Sequence, residues 1–112
     1  MPRKTYNKLV RDGIPFRLNN RSLPHQVRIL SAAEYKIALR QKLGEECAEV
    51  IGAKDRAALI GELADLAEVV RALAVDEGLG LDEIEAARIK KFIDPERGGL
   101  EKKIMLEWVE EK

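Results

Sequence analysis

Two stretches decide how this chain is read: Lys42-Leu43-Gly44-Glu45-Glu46-Cys47-Ala48-Glu49-Val50 and Gly61-Glu62-Leu63-Ala64-Asp65-Leu66. Positions 39, 43, 46 and 50 are spaced as one face of an α-helix, and they hold Leu39, Leu43, Glu46 and Val50. Positions 59, 62, 66, 69 and 73 make a second such stripe, of Leu59, Glu62, Leu66, Val69 and Leu73. Each apolar stripe is broken by one glutamate, and each glutamate has an acidic companion three residues on, Glu49 and Asp65. Residues three apart lie on nearly the same helix face, one turn up. Folding the two helices back on each other about a turn at Lys54-Asp55 brings Glu46 level with Leu63 and Glu49 level with Ile60. The two acid pairs then face one another, and four carboxylates converge within a turn of helix.

Such a cluster needs compensation, because burying unpaired charge costs several kcal/mol per group and like charges in contact add to that. Oxygen-only donors, with no His or Cys among these four positions, suit a hard cation, Mg²⁺ or Mn²⁺. The expected metal ligands are Glu46, Glu49, Glu62 and Asp65. Acidic spacings of this kind are common on solvated helix faces. What singles these out is that both pairs interrupt apolar stripes at matched height. Glu45 and Glu68 flank the cluster; Glu45 is open to a role as ligand, water-orienting base or solvated acid, and Glu68 reads as surface. His25, the one histidine, stands apart in the first thirty residues and offers no zinc site.

Working outward, Ser31-Ala32-Ala33-Glu34 is a capping box that opens the first helix, which runs to about Lys54. Asp55 caps the second, and Gly78 terminates it. A connection this short makes the pair an antiparallel αα-hairpin. A third helix is expected over about Asp82 to Phe92, stopping before Pro95. Residues 1–26 read as irregular, given Pro2, Gly13-Ile14-Pro15, Asn19-Asn20 and Pro24. Val27–Leu30 and Ile104–Val109 read as short strands that pair. The expected fold is mostly α: a bundle core of about three antiparallel helices with a small two-stranded β appendage, completed by oligomerisation. It forms a single domain over 1–112, with a basic arm and strand over 1–30, a helical core over 31–94, and a turn and strand over 95–112.

Composition sets the outer limits. At 112 residues, 46% apolar and 36% charged, the chain has the make-up of one globular domain. It holds no apolar run near the roughly 20 residues that span a bilayer and opens on no signal-peptide pattern. Cys47 is the lone cysteine, so no intrachain disulfide forms, and a cytoplasmic location is expected. The net charge of zero hides an asymmetry: residues 1–30 carry seven basic side chains against Asp12 alone. A basic arm on an acidic body can face phosphates. The cations are not set on a recognition helix, which argues against nucleic acid as the partner.

Glu45-Glu46-Cys47-Ala48-Glu49 followed by Glu62-Leu63-Ala64-Asp65 resembles the Glu-Glu-x-x-Glu … Glu-x-x-Asp signature of the all-α, MazG-like nucleoside triphosphate pyrophosphohydrolases. Tyr6-Asn7-Lys8-Leu9-Val10-Arg11-Asp12-Gly13-Ile14-Pro15 resembles the opening of that superfamily's phosphoribosyl-ATP pyrophosphohydrolase-like subgroup. So do Lys42-Leu43 and Glu96-Arg97-Gly98-Gly99-Leu100-Glu101-Lys102. Gly13 stands where the subgroup usually has lysine, and Phe16-Arg17 replaces its usual acid after the proline; Arg17 could take over the missing charge.

The resemblance implies Mg²⁺-dependent cleavage between the α and β phosphates of a nucleotide, releasing a nucleoside monophosphate and pyrophosphate. It implies metal ligands at Glu46, Glu49, Glu62 and Asp65, with Glu45 beside them as the candidate catalytic base. It also implies a homodimer or homotetramer. Lys8, Arg11, Lys91 and Arg97 are the candidates to bind substrate phosphates. Two alternatives stand beside this reading. One is phosphoribosyl-ATP hydrolysis in histidine biosynthesis; the other is a non-catalytic helical module that binds nucleotide or protein.

Overall fold

A computed structural model describes residues 2–112 and contains four helices: α1 (Ile14–Asn20), α2 (Ala32–Gly52), α3 (Arg56–Asp76) and α4 (Leu81–Ile93). The chain divides into two compact units, Met1–Glu77 and Gly78–Lys112.

In the first unit, α2 and α3 form the expected hairpin, each opened by its own cap. The Glu34 N–H donates to Ser31 Oγ (3.2 Å), and the Ser31 N–H donates back to Glu34 Oε1 (3.1 Å), closing the capping box. Asp55 Oδ1 accepts from the Ala58 N–H at 2.8 Å and starts α3. Lys36 near the start of α2 reaches Asp76 (3.0 Å) and Glu77 (3.1 Å) at the end of α3, which sets the pair antiparallel. Gly78, at φ +69°, follows the Glu77 C-cap in the left-handed conformation that glycine adopts freely.

The two predicted stripes meet between α2 and α3. Leu39 (1% exposed), Val69 and Ala74 are buried, while Leu43, Val50, Leu66 and Leu73 are partly covered; Leu59, near the hairpin turn, stays exposed. A further apolar row on α3, of Ile60, Leu63 and Val70, lies open to solvent.

Two expectations need correction. Residues 14–20, expected to be irregular, form α1. Pro15 sits in the first turn, where its missing N–H costs nothing and its fixed φ suits a helix, so it starts α1 instead of breaking it. The two-stranded β appendage is not seen: among the described residues there is no strand, and neither Val27–Leu30 nor Ile104–Val109 has regular structure. Ile29 (94%) and Ile104 (81%) are almost fully exposed. An isolated two-stranded ribbon is marginal without a surface beneath it, and β-favouring composition alone does not supply one.

In the second unit, Glu83 Oε1 accepts from the Gly80 N–H (3.3 Å) at the start of α4. After α4 the chain turns at Asp94–Gly99, where the Gly98 N–H donates to the Lys91 carbonyl at 3.1 Å.

Candidate metal centre and basic clusters

The hairpin register brings Glu46 of α2 to Glu62 and Asp65 of α3, with one carboxylate oxygen of each within 4.8 Å of the others. Glu46 is buried, with 8% of its surface exposed, and the other two are half-buried. Three of the four expected ligands therefore converge. Glu49 is exposed and lies outside this close group. It is near enough to act electrostatically: burial, and then the charges of Glu49, Asp65 and Glu46, push the Glu62 carboxyl above its ordinary pKa.

Cations sit at two edges of the cluster. Lys42 Nζ lies 3.4 Å from Glu46 and 3.6 Å from Glu45, one helical turn away from each. Arg11, from the segment before α1, donates through a terminal guanidinium nitrogen to Asp65 Oδ1 at 2.7 Å. That hydrogen bond raises the Arg11 pKa against the opposing effect of burial, and the charges of Asp65, Glu68 and Glu46 add to it. Neither contact was read from the sequence. The Lys42 pairs were signalled by spacing alone, since Lys42 stands three and four residues before two acids. The Arg11 contact joins residues 54 apart, and only the opposite charges of arm and body hinted at it.

The remaining predicted residues lie elsewhere. Lys8 Nζ sits 5.8 Å from the centre of the Tyr6 ring, with Lys4 Nζ at 5.0 Å from the same ring. Lys91 and Arg97 belong to the second unit. There they line a cavity of about 310 Å³ together with Ala87, Lys90 and Asp94. Asp94 Oδ2 is 3.8 Å from Arg97 Nε, so the cavity wall carries three cations and one acid. Glu68 is engaged by Arg71 at 2.7 Å.

The carboxylate group fits a hard divalent cation. An octahedral Mg²⁺ shell with metal–oxygen distances of about 2.0–2.1 Å separates opposed oxygens by about 4.2 Å. The three oxygens lie within 4.8 Å of one another, close to the span of such a shell, and burial, joined by the charges of Glu49, Asp65 and Glu46, disfavours the ionised Glu62 that a cation would stabilise.

The sequence profile of the family described as phosphoribosyl-ATP pyrophosphohydrolase matches residues 6–91, which takes in the arm, both hairpin helices and most of α4. No curated protein and no solved structure matches the chain. With three acids of that signature brought together by the hairpin, and the match covering well over half of its length, the chain belongs to the phosphoribosyl-ATP pyrophosphohydrolase family, MazG-like all-α hydrolases that act on acid anhydrides.

Proposed function

We propose that the protein hydrolyses a nucleoside triphosphate, or a related nucleotide, between its α and β phosphates, dependent on Mg²⁺ or Mn²⁺ held by Glu46, Glu62 and Asp65, with Glu49 completing the set. The observation that carries this reading is the convergence of those three carboxylates across α2 and α3 in a chain of this family.

When bound, the divalent ion supplies polarisation of phosphate oxygens and a more acidic water. Glu45, partly exposed beside the cluster and 3.6 Å from Lys42 Nζ, accepts the proton from the attacking water. Water oxygen bonds to the α-phosphorus, the bond from that phosphorus to the bridging oxygen breaks, and pyrophosphate leaves. Lys8 and Arg11 on the arm are the proposed phosphate contacts beside the cluster; Lys91 and Arg97, with Lys90, form a separate basic group that suits phosphate within the second unit. The family's name puts phosphoribosyl-ATP among the nucleotides to be tested.

The protein acts as a homodimer or homotetramer in this reading. The open row Ile60, Leu63 and Val70 on α3 gives a second copy of the chain an apolar face to cover. No helix among the described residues is long and apolar enough to cross a membrane, and exposed Cys47 suits a reducing compartment, the cytoplasm.

The test is to incubate the protein with nucleoside triphosphates and phosphoribosyl-ATP, with and without Mg²⁺, and identify the products. Pyrophosphate plus monophosphate, dependent on metal and lost in Glu46→Gln, is the expected result. Nucleotide binding without pyrophosphate release from any substrate would favour a binding module instead.

A further inference from the structure

We infer that Arg11 is a positioning residue for Asp65: it orients that carboxylate for cation binding and ties the N-terminal arm to the carboxylate cluster. The inference rests on the metal-binding reading above. Of the seven cations in residues 1–30, only Arg11 and Arg28 form ion pairs among the described residues. Arg28 pairs with Glu34 at the first turn of α2 (3.0 Å), and Arg11 pairs with Asp65 in the middle of α3 (2.7 Å). The arm is thus tethered to the hairpin at two points, and one of them is a member of the cluster.

The arm backbone is fixed where Arg11 leaves it. The Arg11 carbonyl accepts the Ile14 N–H at 3.1 Å, the turn leads directly into α1, and Leu9 on the other side is partly covered. The Arg11 side chain therefore starts from a constrained point. It spends one terminal nitrogen on Asp65 Oδ1, which leaves Oδ2 without that hydrogen bond. Groups that hydrogen-bond a metal-ligating side chain from outside fix its orientation, and removing them commonly weakens metal binding about 10- to 100-fold. The guanidinium charge also offsets the mutual repulsion of the three acids. Its own repulsion of that cation is weakened by solvent, since the Arg11 side chain is 56% exposed.

The experiment titrates the full-length protein with Mn²⁺ alone and follows free Mn²⁺ by electron paramagnetic resonance, with no nucleotide present. Wild type, Arg11→Ala, Arg11→Lys, Glu62→Gln and the remote control Arg88→Ala are compared, with circular dichroism to confirm the helical fold of each. Arg11→Ala is expected to bind Mn²⁺ about tenfold more weakly or worse, Arg11→Lys to recover much of that loss, and Arg88→Ala to match wild type. Unchanged or tighter binding in Arg11→Ala, or a loss that Arg11→Lys does not recover, overturns the inference while Glu62→Gln still abolishes binding and the metal site stands. Absence of Mn²⁺ binding in the wild type overturns the metal reading itself, and the role of Arg11 with it.

Discussion

Lys42 and Glu46, one turn apart on α2, hold their charges 3.4 Å apart with only 18% and 11% of their side chains exposed. This pair explains how a glutamate can occupy a core-facing position. Replacing Lys42 by Met keeps the apolar stem and removes the charge, leaving Glu46 buried beside two other acids. Removing one partner of a buried polar pair costs about 1–3 kcal/mol. Urea denaturation without metal is expected to show a loss of that size, and saturating Mg²⁺ to reduce it. An equal loss in both conditions would mean that no cation takes over the compensation.

Glu62 leads to the opposite expectation for stability. Its folded pKa is raised by burial and by three acidic neighbours, so ionised Glu62 opposes folding at neutral pH, and that penalty fades as pH falls through the folded value. Glu62→Gln removes the penalty. It is expected to raise the melting temperature of the metal-free protein at pH 7 and to abolish both the rise caused by Mg²⁺ and turnover. Thermal scans with and without Mg²⁺ check both halves; a fall in metal-free stability would contradict the electrostatic account.

What could be read in advance divides along physical lines. Ser31, Glu34 and Asp55 act on backbone groups within four residues, so their capping roles were legible, as was the burial of Leu39 and Val69 through helical period. Glu46 and Glu62 stood out because they broke that period, and Asp65 because it follows Glu62 by three residues. Arg11 on Asp65 was not legible, because no local rule reports where an irregular arm docks across 54 residues. Ile29 and Ile104 misled because β-favouring side chains state a preference for burial without naming a surface. Pro15 misled because proline both ends helices and begins them, and only its position in the turn decides which.

The capping box makes a pH prediction. Hydrogen bonds from Arg28 and then from Ser31 hold the Glu34 carboxyl at about 2, below its ordinary 4.5. A depressed folded pKa means that Glu34 stabilises the fold above pH 4.5 and loses that contribution as pH falls toward 2. Wild type is therefore expected to lose melting temperature faster than Glu34→Gln across this window, with the two curves converging at its acid end. Parallel curves would show that the box contributes nothing through charge.

In the second unit, Gly99 packs against α4. A Cβ built at Gly99 would lie 2.7 and 3.0 Å from two carbons of the Phe92 ring, closer than carbon atoms normally approach. Gly99→Ala is expected to destabilise the turn that carries Arg97, by less than the ~1–3 kcal/mol of core overpacking, because the Phe92 ring is 50% exposed and can shift. Phe92→Ala should relieve much of that cost in the double variant, giving a non-additive cycle by denaturation. Additive effects would place the strain elsewhere than the ring.

The surface of the hairpin predicts its assembly. Ile60, Leu63 and Val70 are 59%, 46% and 39% exposed on α3, although the opposite face of the same helix already packs on α2. A helix with apolar residues on two faces is one that expects two neighbours. Light scattering on the eluting protein should therefore give two or four times the 12.6 kDa chain mass. Ile60→Lys combined with Val70→Lys places two charges in the contact and should lower that mass toward the monomer, with loss of thermal stability. A wild-type mass of one chain would instead leave the row without a partner, and the oligomeric reading would fail while the carboxylate cluster, built within one hairpin, would stand.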